Sequence, residues 1–258
     1  MNKEEYNYFA KENLLEEERV DEIGFGDLKL IQNWREFCYG VDAVILSQFA
    51  VENYKGKEFK IVDLGTGTGI IPLILSFKLP KAKITGIEVQ RSSWDRACRN
   101  AKGNGLEERV AFLNEDVKDY KKWGKELKGT VDMIVCNPPY FQGGGGIKNK
   151  EEPKTIARHE TSASLEEFLK CSDFLLKPKG ELFMVHRPSR LADLCYHGRE
   201  LGLEPKRMQF VSPDKMRAPN ILLLQFVKGG GKELRLSDPL FVYDEEGKYS
   251  PQVLRAYD

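Results

Sequence analysis

Residue types that build metal sites, disulfide frameworks and membrane spans are scarce or poorly placed in this chain of 258 residues. There are only three histidines, and their positions show no metal-ligand spacing. The five cysteines lie far apart without a C-x-x-C pair, which predicts reduced thiols and argues against a disulfide framework or a zinc site. No apolar run approaches the length of a membrane span. We therefore expect a cytoplasmic protein without a metal and without membrane contact.

Charge of one sign is also not in excess, because 40 Lys and Arg residues balance 40 Asp and Glu residues. Any affinity for nucleic acid must then come from a local basic patch, since the global charge does not support it. Hydrophobic residues make up 41% of the chain and charged residues 31%, which is typical of a globular domain. A chain of this length can bury one large core.

Predicted strands and helices alternate from Phe59 onward, which indicates a parallel sheet with helices on both faces. The predicted strands are 59–64, 83–89, 110–116, 131–136, 181–186, 207–211 and 221–227. The link between the last two is too short for a crossover helix, so these two strands are antiparallel. Residues 1–20 are charged and helix-prone. Asp42 is predicted to cap a helix, and Ser164 and Glu167 have the spacing of a capping box.

A glycine-rich turn follows the first of these strands, with the spacing D-x-G-x-G-x-G over residues 63–69. Glycines let the backbone turn sharply and approach a ligand, and free N–H groups at the next helix favour an anionic group. Glu88, near the end of the second strand, is positioned to take both hydroxyls of a ribose. Asp116, at the end of the third, is positioned to accept a hydrogen bond from an adenine amino group. A plain strand–helix connection and two solvated carboxylates are the alternatives.

The run Asn137-Pro138-Pro139-Tyr140 follows the strand 131–136. Two consecutive prolines cannot continue a sheet ladder because neither has an N–H to donate, so the chain leaves the sheet there. We expect the Asn137 carboxamide and a nearby carbonyl to bind an amine by its two N–H groups while a flat ring stacks on Tyr140. A simple Pro-Pro turn after an edge strand is the alternative.

A long segment between Tyr140 and Ser164 contains several basic residues, which a phosphate backbone would require. The candidate RNA contacts in this segment are Lys148, Lys150, Lys154, Arg158 and His159. Arg217 and Lys228 belong to a second basic set around the last two strands. Because acidic residues dilute the first set, a merely mobile loop is an equal alternative, and the second set equally fits solvated turns.

The chain resembles class I S-adenosylmethionine-dependent methyltransferases that methylate amines. The motifs that carry the resemblance are, in this order, the glycine turn, Glu88, Asp116 and the run from Asn137 to Tyr140. The resemblance covers roughly residues 40–230. Further runs resemble one family within that class, the bacterial tRNA adenine-N6 methyltransferases that modify adenosine 37 of a valine tRNA. These runs are Gly40-Val41-Asp42-Ala43-Val44, Gly86-Ile87-Glu88-Val89-Gln90, Ala157-Arg158-His159-Glu160 and Arg217-Ala218-Pro219-Asn220.

The resemblance implies an α/β fold, with a Rossmann-like, doubly wound sheet of seven strands that is mostly parallel and has an antiparallel last strand. It implies a methyltransferase domain over 39–232, after an N-terminal extension (1–38) and before a C-terminal tail (233–258). The implied cofactor is S-adenosyl-L-methionine, and the implied macromolecular partner is tRNA.

The resemblance also implies site residues. The implied cofactor-binding residues are Asp63, Gly65, Thr66, Gly67, Gly69, Glu88, Val89, Asp116, Val117 and Asn137. The implied catalytic residues are Asn137, Pro138 and Tyr140, which would hold the N6 amine and stack the target base. Asn220 joins the candidate RNA contacts.

Other classes of protein share parts of this pattern. Protein-glutamine N5 methyltransferases of release factors carry the same Asn-Pro-Pro-Tyr, although they usually have a larger helical N-terminal domain. Guanine-N2 rRNA methyltransferases commonly have a duplicated domain or Phe at the position of Tyr140. A non-catalytic RNA-binding module is disfavoured by the intact glycine turn and Asn137. The glycine spacing also disfavours a nicotinamide-dependent oxidoreductase.

Overall fold

The computed structural model describes residues 8–36, 38–52, 54, 58–138 and 163–257. Several residues with predicted roles lie outside this part of the chain. They are Pro139, Tyr140, Lys148, Lys150, Lys154, Arg158 and His159. Their predicted roles stay predictions.

An antiparallel hairpin of β1 (Glu18–Glu22) and β2 (Lys29–Asn33) precedes the main domain. The remaining strands are β3 (Lys60–Leu64), β4 (Lys83–Ile87), β5 (Val110–Leu113), β6 (Val131–Cys136), β7 (Leu176–His186), β8 (Leu203–Ser212), β9 (Ile221–Lys228), β10 (Arg235–Leu236) and β11 (Leu240–Phe241). The helices are α1 (Val41–Val51), α2 (Ile70–Lys78), α3 (Arg91–Gly103), α4 (Tyr120–Trp123), α5 (Leu165–Leu175), α6 (Leu191–Glu200) and α7 (Pro251–Leu254). Short 3-10 helices cover Lys11–Asn13, Val117–Asp119, Lys125–Leu127 and Pro188–Arg190.

The main sheet has the strand order β10-β8-β9-β7-β6-β3-β4-β5, and β11 also pairs with β8. Neighbouring strands from β5 to β7 are parallel, whereas β9 lies antiparallel between β7 and β8. The predicted α/β fold class is therefore confirmed. The two-residue strands β10 and β11 extend the seven predicted strands, and both pair with β8 in parallel.

Helices cover both faces of this sheet, which explains why its central strands are apolar along their whole length. On β6, Met133 and Val135 belong to the hydrophobic cluster that also contains α1 and α2 residues. Ile134 and Cys136 belong to the opposite cluster, which contains α5 residues such as Phe168. Because side chains alternate along a strand, one run of six residues contributes to both layers of the core.

The two ends of the described chain pack against the main domain. The hairpin β1–β2 contacts α3, and the Phe25 ring between its strands stacks on Tyr257 near the C-terminus at a centroid distance of 5.2 Å. The expectation of helix in the charged N-terminal residues is wrong at Glu18, which begins a strand. The prediction that Asp42 caps α1 is also wrong, because Gly40 occupies the cap position and Asp42 lies in the first turn. The capping box of Ser164 and Glu167 is confirmed.

None of the described helices is both long and apolar enough to cross a membrane.

Candidate active site

A cavity of about 470 Å³ lies where β3, β4 and β6 end, at the carboxyl edge of the sheet. Ligands of open α/β sheets bind at this edge, because the connections that follow the strands leave a crevice there. The cavity brings together most of the residues predicted from the sequence. Those on its wall are Gly65, Thr66, Gly67, Glu88, Val89, Asp116, Val117, Asn137 and Pro138. Asp63 and Gly69 stand at the two ends of the D-x-G-x-G-x-G run, and neither lines the cavity.

The glycine turn between β3 and α2 brings bare backbone to the cavity. Gly67 has a φ of +58°, and a Cβ added there would have no heavy atom within 4 Å, so the position faces open space. Gly69 has a φ of +84°, and a Cβ there would lie 2.7 Å from the Phe112 ring. The first glycine therefore leaves room for a ligand, and the second allows α2 to pack closely on the sheet.

Glu88 is fixed by the backbone on both sides of its carboxylate. Its Oε2 accepts a hydrogen bond from the Gly67 N–H at 2.9 Å, and its Oε1 accepts one from the Gln90 N–H at 2.8 Å. Burial raises the pKa of Glu88, and the N–H groups of Gln90 and Gly67 oppose that shift because they stabilise the carboxylate. Each oxygen retains acceptor capacity, so the carboxylate suits a ligand that offers two hydroxyl donors.

Asp63, the residue before this turn on β3, has a different environment. Its side chain is fully buried, and neither carboxylate oxygen has a hydrogen-bond partner within the described residues. Burial raises the pKa of Asp63 to about 7, while the neighbouring Thr66 hydroxyl opposes this shift and the Glu88 carboxylate adds to it. The Thr66 hydroxyl lies near this carboxylate, but it too makes no hydrogen bond of good geometry in that part of the chain. Such buried polar atoms are rare in folded proteins and commonly mark a functional site or an unseen partner.

Asp116 and Val117 form the wall beyond Glu88. The Asp116 side chain accepts a hydrogen bond from the Lys118 N–H at 2.9 Å, and its other oxygen lies 3.2 Å from the Lys118 ammonium. The predicted acceptor for an adenine amino group is therefore already partly engaged with its own turn. Val117 is buried and provides an apolar surface beside it.

Asn137 and Pro138 follow β6 directly and line the cavity. In the sheet, β3 separates β6 from β4, the strand that Glu88 follows. Asn137 is half-buried, and Pro138 is buried. Phe168 of α5 also lines the cavity and lies 3.7 Å from the position of a Cβ on Gly65. Asn137, which carries a carboxamide, thus lines the same cavity as the glycine turn.

Several lining residues were missed from the sequence. Arg187 follows β7, and Asp42 in α1 lies close enough for the two charges to interact. Burial raises the pKa of Asp42, and Arg187 opposes the shift. Glu36 and Tyr39, after the N-terminal hairpin, complete this wall, and burial raises the pKa of Tyr39 to about 12. The position of Arg187 immediately after a predicted strand was the one available sequence signal.

The predicted RNA contacts that the structure describes lie at opposite edges of the sheet. Arg217 and Asn220 belong to the link between β8 and β9, at the same edge as the cavity, and Arg217 pairs with Asp214 at 2.6 Å. Lys228 ends the antiparallel β9, so it lies at the other edge. Its ammonium there is 3.0 Å from the Asp173 carboxylate and 3.1 Å from the Leu176 carbonyl. The structure does not bring Lys228 to the cavity.

Among the described residues, no group of three or more His, Cys, Asp or Glu side chains is arranged to hold a metal ion.

Comparison with known proteins shows that this chain is similar to methyltransferases. A family model described as "Methyltransferase small domain" matches residues 39–193. A curated tRNA1(Val) (adenine(37)-N6)-methyltransferase of Porphyromonas gingivalis is 29% identical over 239 residues, which cover 92% of this chain and 93% of the relative. A relative of the same name from Bacteroides fragilis is 30% identical over 218 residues, with coverage of 82% and 88%.

Solved structures share the fold. A predicted O-methyltransferase from Agrobacterium tumefaciens superposes with a TM-score of 0.66 at 19% identity, covering 84% of this chain and 95% of that one. A SAM-dependent methyltransferase from Aquifex aeolicus superposes with a TM-score of 0.50 at 16% identity, covering 74% and 100%.

Proposed function

Because this chain belongs to the methyltransferase small-domain family and, within it, to the tRNA1(Val) (adenine(37)-N6)-methyltransferases, we propose that it methylates the exocyclic N6 of an adenosine in tRNA. The methyl donor is S-adenosylmethionine, and the target is adenosine 37 of a valine tRNA. One observation carries the proposal. A carboxamide that follows β6 and a glycine turn with a pinned carboxylate line the same cavity.

The residues on the cavity wall fit S-adenosylmethionine. The space beside Gly67 that a Cβ would fill is a backbone cradle, and it suits the methionine end of the cofactor. The fixed Glu88 carboxylate suits the two ribose hydroxyls, and the buried face of Val117 suits the adenine ring, with Asp116 near its amino group. The cofactor supplies a methyl group on a positively charged sulfur, which is already a strong electrophile.

Asn137 and Pro138 would position the amine that receives the methyl group. The N6 lone pair is delocalised into the adenine ring, so the amine is a weak nucleophile. The Asn137 side-chain oxygen and the Pro138 carbonyl would accept its two N–H bonds and favour a pyramidal nitrogen. Tyr140, outside the described residues, would stack the base. Positioning then supplies most of the acceleration, and the proton leaves after transfer, so no general base is required beforehand.

The base must leave its stack to reach this cavity, which is inexpensive for a loop nucleotide. Arg217, at the same edge of the sheet, would contact the RNA backbone, while the position of Lys228 argues against a contact near the target base.

The test is transfer of labelled methyl to an unmodified valine tRNA transcript, followed by nucleoside analysis. A transcript with guanosine at position 37 is the matched control. We expect N6-methyladenosine in the first transcript and no label in the second. N2-methylguanosine would instead support the guanine-N2 class. In a parallel reaction with a release-factor protein as the acceptor, label in that protein would support the glutamine class. Absence of label from RNA and protein would contradict the proposal.

A further inference from the structure

A buried carboxamide outside the cavity connects the N-terminal hairpin to the glycine turn. Asn100, near the end of α3, is completely buried. Its Oδ1 accepts a hydrogen bond from the Ile31 N–H of β2 at 2.6 Å. Its Nδ2 donates to the Thr68 carbonyl in the glycine turn at 2.9 Å and to the Ile31 carbonyl at 3.3 Å. One side chain thus holds two segments of backbone that are distant in sequence.

A second carboxamide, that of Asn104 at the C-cap of α3, binds the hairpin and also donates to the backbone carbonyl of Asn100 at 2.7 Å, but it does not touch the turn. Asn104 accepts a hydrogen bond from the Lys29 N–H at 2.9 Å and donates to the Lys29 carbonyl at 2.7 Å. The two asparagines are spaced by about 6 Å along α3, and Lys29 and Ile31 by about 6.8 Å along β2, so the spacings match. Both carboxamides therefore continue the hydrogen-bonding edge of β2 as a neighbouring strand would.

Ion pairs attach the same hairpin to α3. Arg99 contacts both carboxylate oxygens of Glu18, at 2.8 and 2.6 Å. The buried Arg96 lies 2.7 Å from Glu36, a residue of the cavity wall. The chain after the hairpin therefore reaches the cavity from an anchored position.

The turn itself is held at two neighbouring positions. The Gly67 N–H is bound by Glu88, and the Thr68 carbonyl is bound by Asn100. Both Gly67 and Thr68 line the cavity. Among the described residues, the backbone hydrogen bonds of the turn itself do not involve the Thr68 carbonyl, so loss of the Asn100 carboxamide frees the backbone next to Gly67, the position that faces open space.

We propose that Asn100 is a positioning residue for the cofactor, because it transmits the placement of the N-terminal hairpin to the glycine turn. This inference rests on the proposed function, since the ligand of the turn is taken to be S-adenosylmethionine. Asn104 holds the hairpin without touching the turn and serves as the matched control.

The first experiment compares binding of S-adenosylhomocysteine, by calorimetry without RNA, in wild type, Asn100→Ala and Asn104→Ala. We expect the Kd to rise about tenfold for Asn100→Ala and less than about twofold for Asn104→Ala. In the methylation assay, KM for S-adenosylmethionine should follow the Kd, with kcat much less affected. Equal changes in the two variants would overturn the inference while leaving the proposed function intact.

A second experiment needs no variant and decides the matter if Asn100→Ala does not fold. Coupling between two sites is reciprocal, so a ligand at the turn must stabilise the hairpin contact that positions it. Addition of S-adenosylhomocysteine to wild type should slow amide exchange of the Ile31 N–H more than that of the Lys29 N–H. Equal protection would overturn the inference. Wild type that binds no S-adenosylhomocysteine would overturn both this inference and the proposed function.

Discussion

Backbone hydrogen bonds hold the proposed cofactor side of the cavity, which comprises the glycine turn, Glu88, Asp116 and Val117. The proposed base side, which comprises Asn137, Pro138, Asp42, Phe168 and Arg187, consists of residues that follow strand ends or belong to helices. Glu88, for example, accepts hydrogen bonds from the backbone N–H groups of Gly67 and Gln90. We expect the two sides to contribute separately. The preformed cofactor side should determine the affinity for the cofactor, and the base side should determine the turnover of the substrate.

Removal of the Asn137 carboxamide should produce the largest separation of these two roles. In Asn137→Ala, kcat should fall about 10²-fold or more while the Kd for S-adenosylhomocysteine changes less than about twofold, because positioning of the amine is lost and the cofactor side is intact. Single-turnover methylation and calorimetry measure the two quantities. Gln209→Ala, which removes a carboxamide from β8 outside the cavity, is the control. Parallel losses of turnover and affinity in Asn137→Ala would contradict the separation.

A change in the glycine turn should have the opposite effect, with a loss of cofactor affinity. Gly67→Ala forces a left-handed residue to carry a Cβ, at about 1 kcal/mol, and places that Cβ in the space for the cofactor. We expect the Kd for S-adenosylhomocysteine to rise about tenfold or more.

The matched control for this change is Gly105→Ala. Gly105 has a φ of +65° and no heavy atom within 4 Å of an added Cβ, yet it lies outside the cavity. Thermal unfolding should show similar losses of stability for both variants, with the affinity loss only at Gly67. Unchanged affinity in Gly67→Ala would mean that the cofactor does not approach this turn.

The buried Asp63 carboxylate, behind the glycine turn, predicts a pH dependence of stability. The pKa of Asp63 rises from its ordinary value of 3.8 to about 7 on folding. Between these values the folded protein holds a proton that the unfolded chain has released, so the free energy of unfolding falls as the pH rises through this window. Asn at this position stays neutral. The difference in Tm between Asp63→Asn and wild type, measured without ligand, should therefore shift in favour of the variant by about 4 °C or more from pH 5 to pH 8.

Asp238→Asn, at an exposed position, should leave the pH dependence of the Tm unchanged. A constant difference in Tm between Asp63→Asn and wild type across this pH range would mean that Asp63 is not desolvated in solution.

The smallest effect concerns RNA at the base side. Arg217→Ala should raise KM for tRNA about threefold and reduce the salt slope by about one, because one phosphate contact is lost. Lys228→Ala removes the same charge at the opposite edge of the sheet and should leave KM unchanged. Its Tm should fall, because the ammonium binds Asp173 and the Leu176 carbonyl. Equal effects of the two variants on KM would show that the location of the charge is irrelevant.

The sheet was largely predictable because its central strands are buried on both faces and therefore appear as uninterrupted apolar runs. The predicted strand 131–136 coincides with β6, and the antiparallel direction of β9 is confirmed. In the N-terminal hairpin, β2 corresponds to a short strand that the sequence predicts at 28–32, whereas β1 was not predictable in the same way. Glu18 lies in a helix-prone charged run, and its side chain is only 3% exposed because Arg99, 81 residues later, provides the compensating charge.

The candidate site was predictable where it depends on motif order along parallel strands. Glu88 and Asn137 follow strands with the same direction, so their strand ends meet at one edge of the sheet. The predicted antiparallel direction of the last strand already implied that Lys228 lies at the edge of the sheet away from the cavity. The prediction of Lys228 as an RNA contact did not take this direction into account. Asp42, Glu36 and Arg187 were missed because each depends on a contact between segments that are distant in sequence.

By itself, the sequence determined the order of strands and helices, the glycine turn and the identity of the groups at strand ends, because these depend on local spacing and on burial of whole runs. The tertiary structure alone decided which carboxylate is satisfied and which is not. Glu88 faces two backbone N–H groups, whereas Asp63, on the neighbouring strand β3, accepts no hydrogen bond within the described chain. It also decided that Asn100 joins the hairpin to the turn, since three separate segments must meet before one carboxamide can bind them.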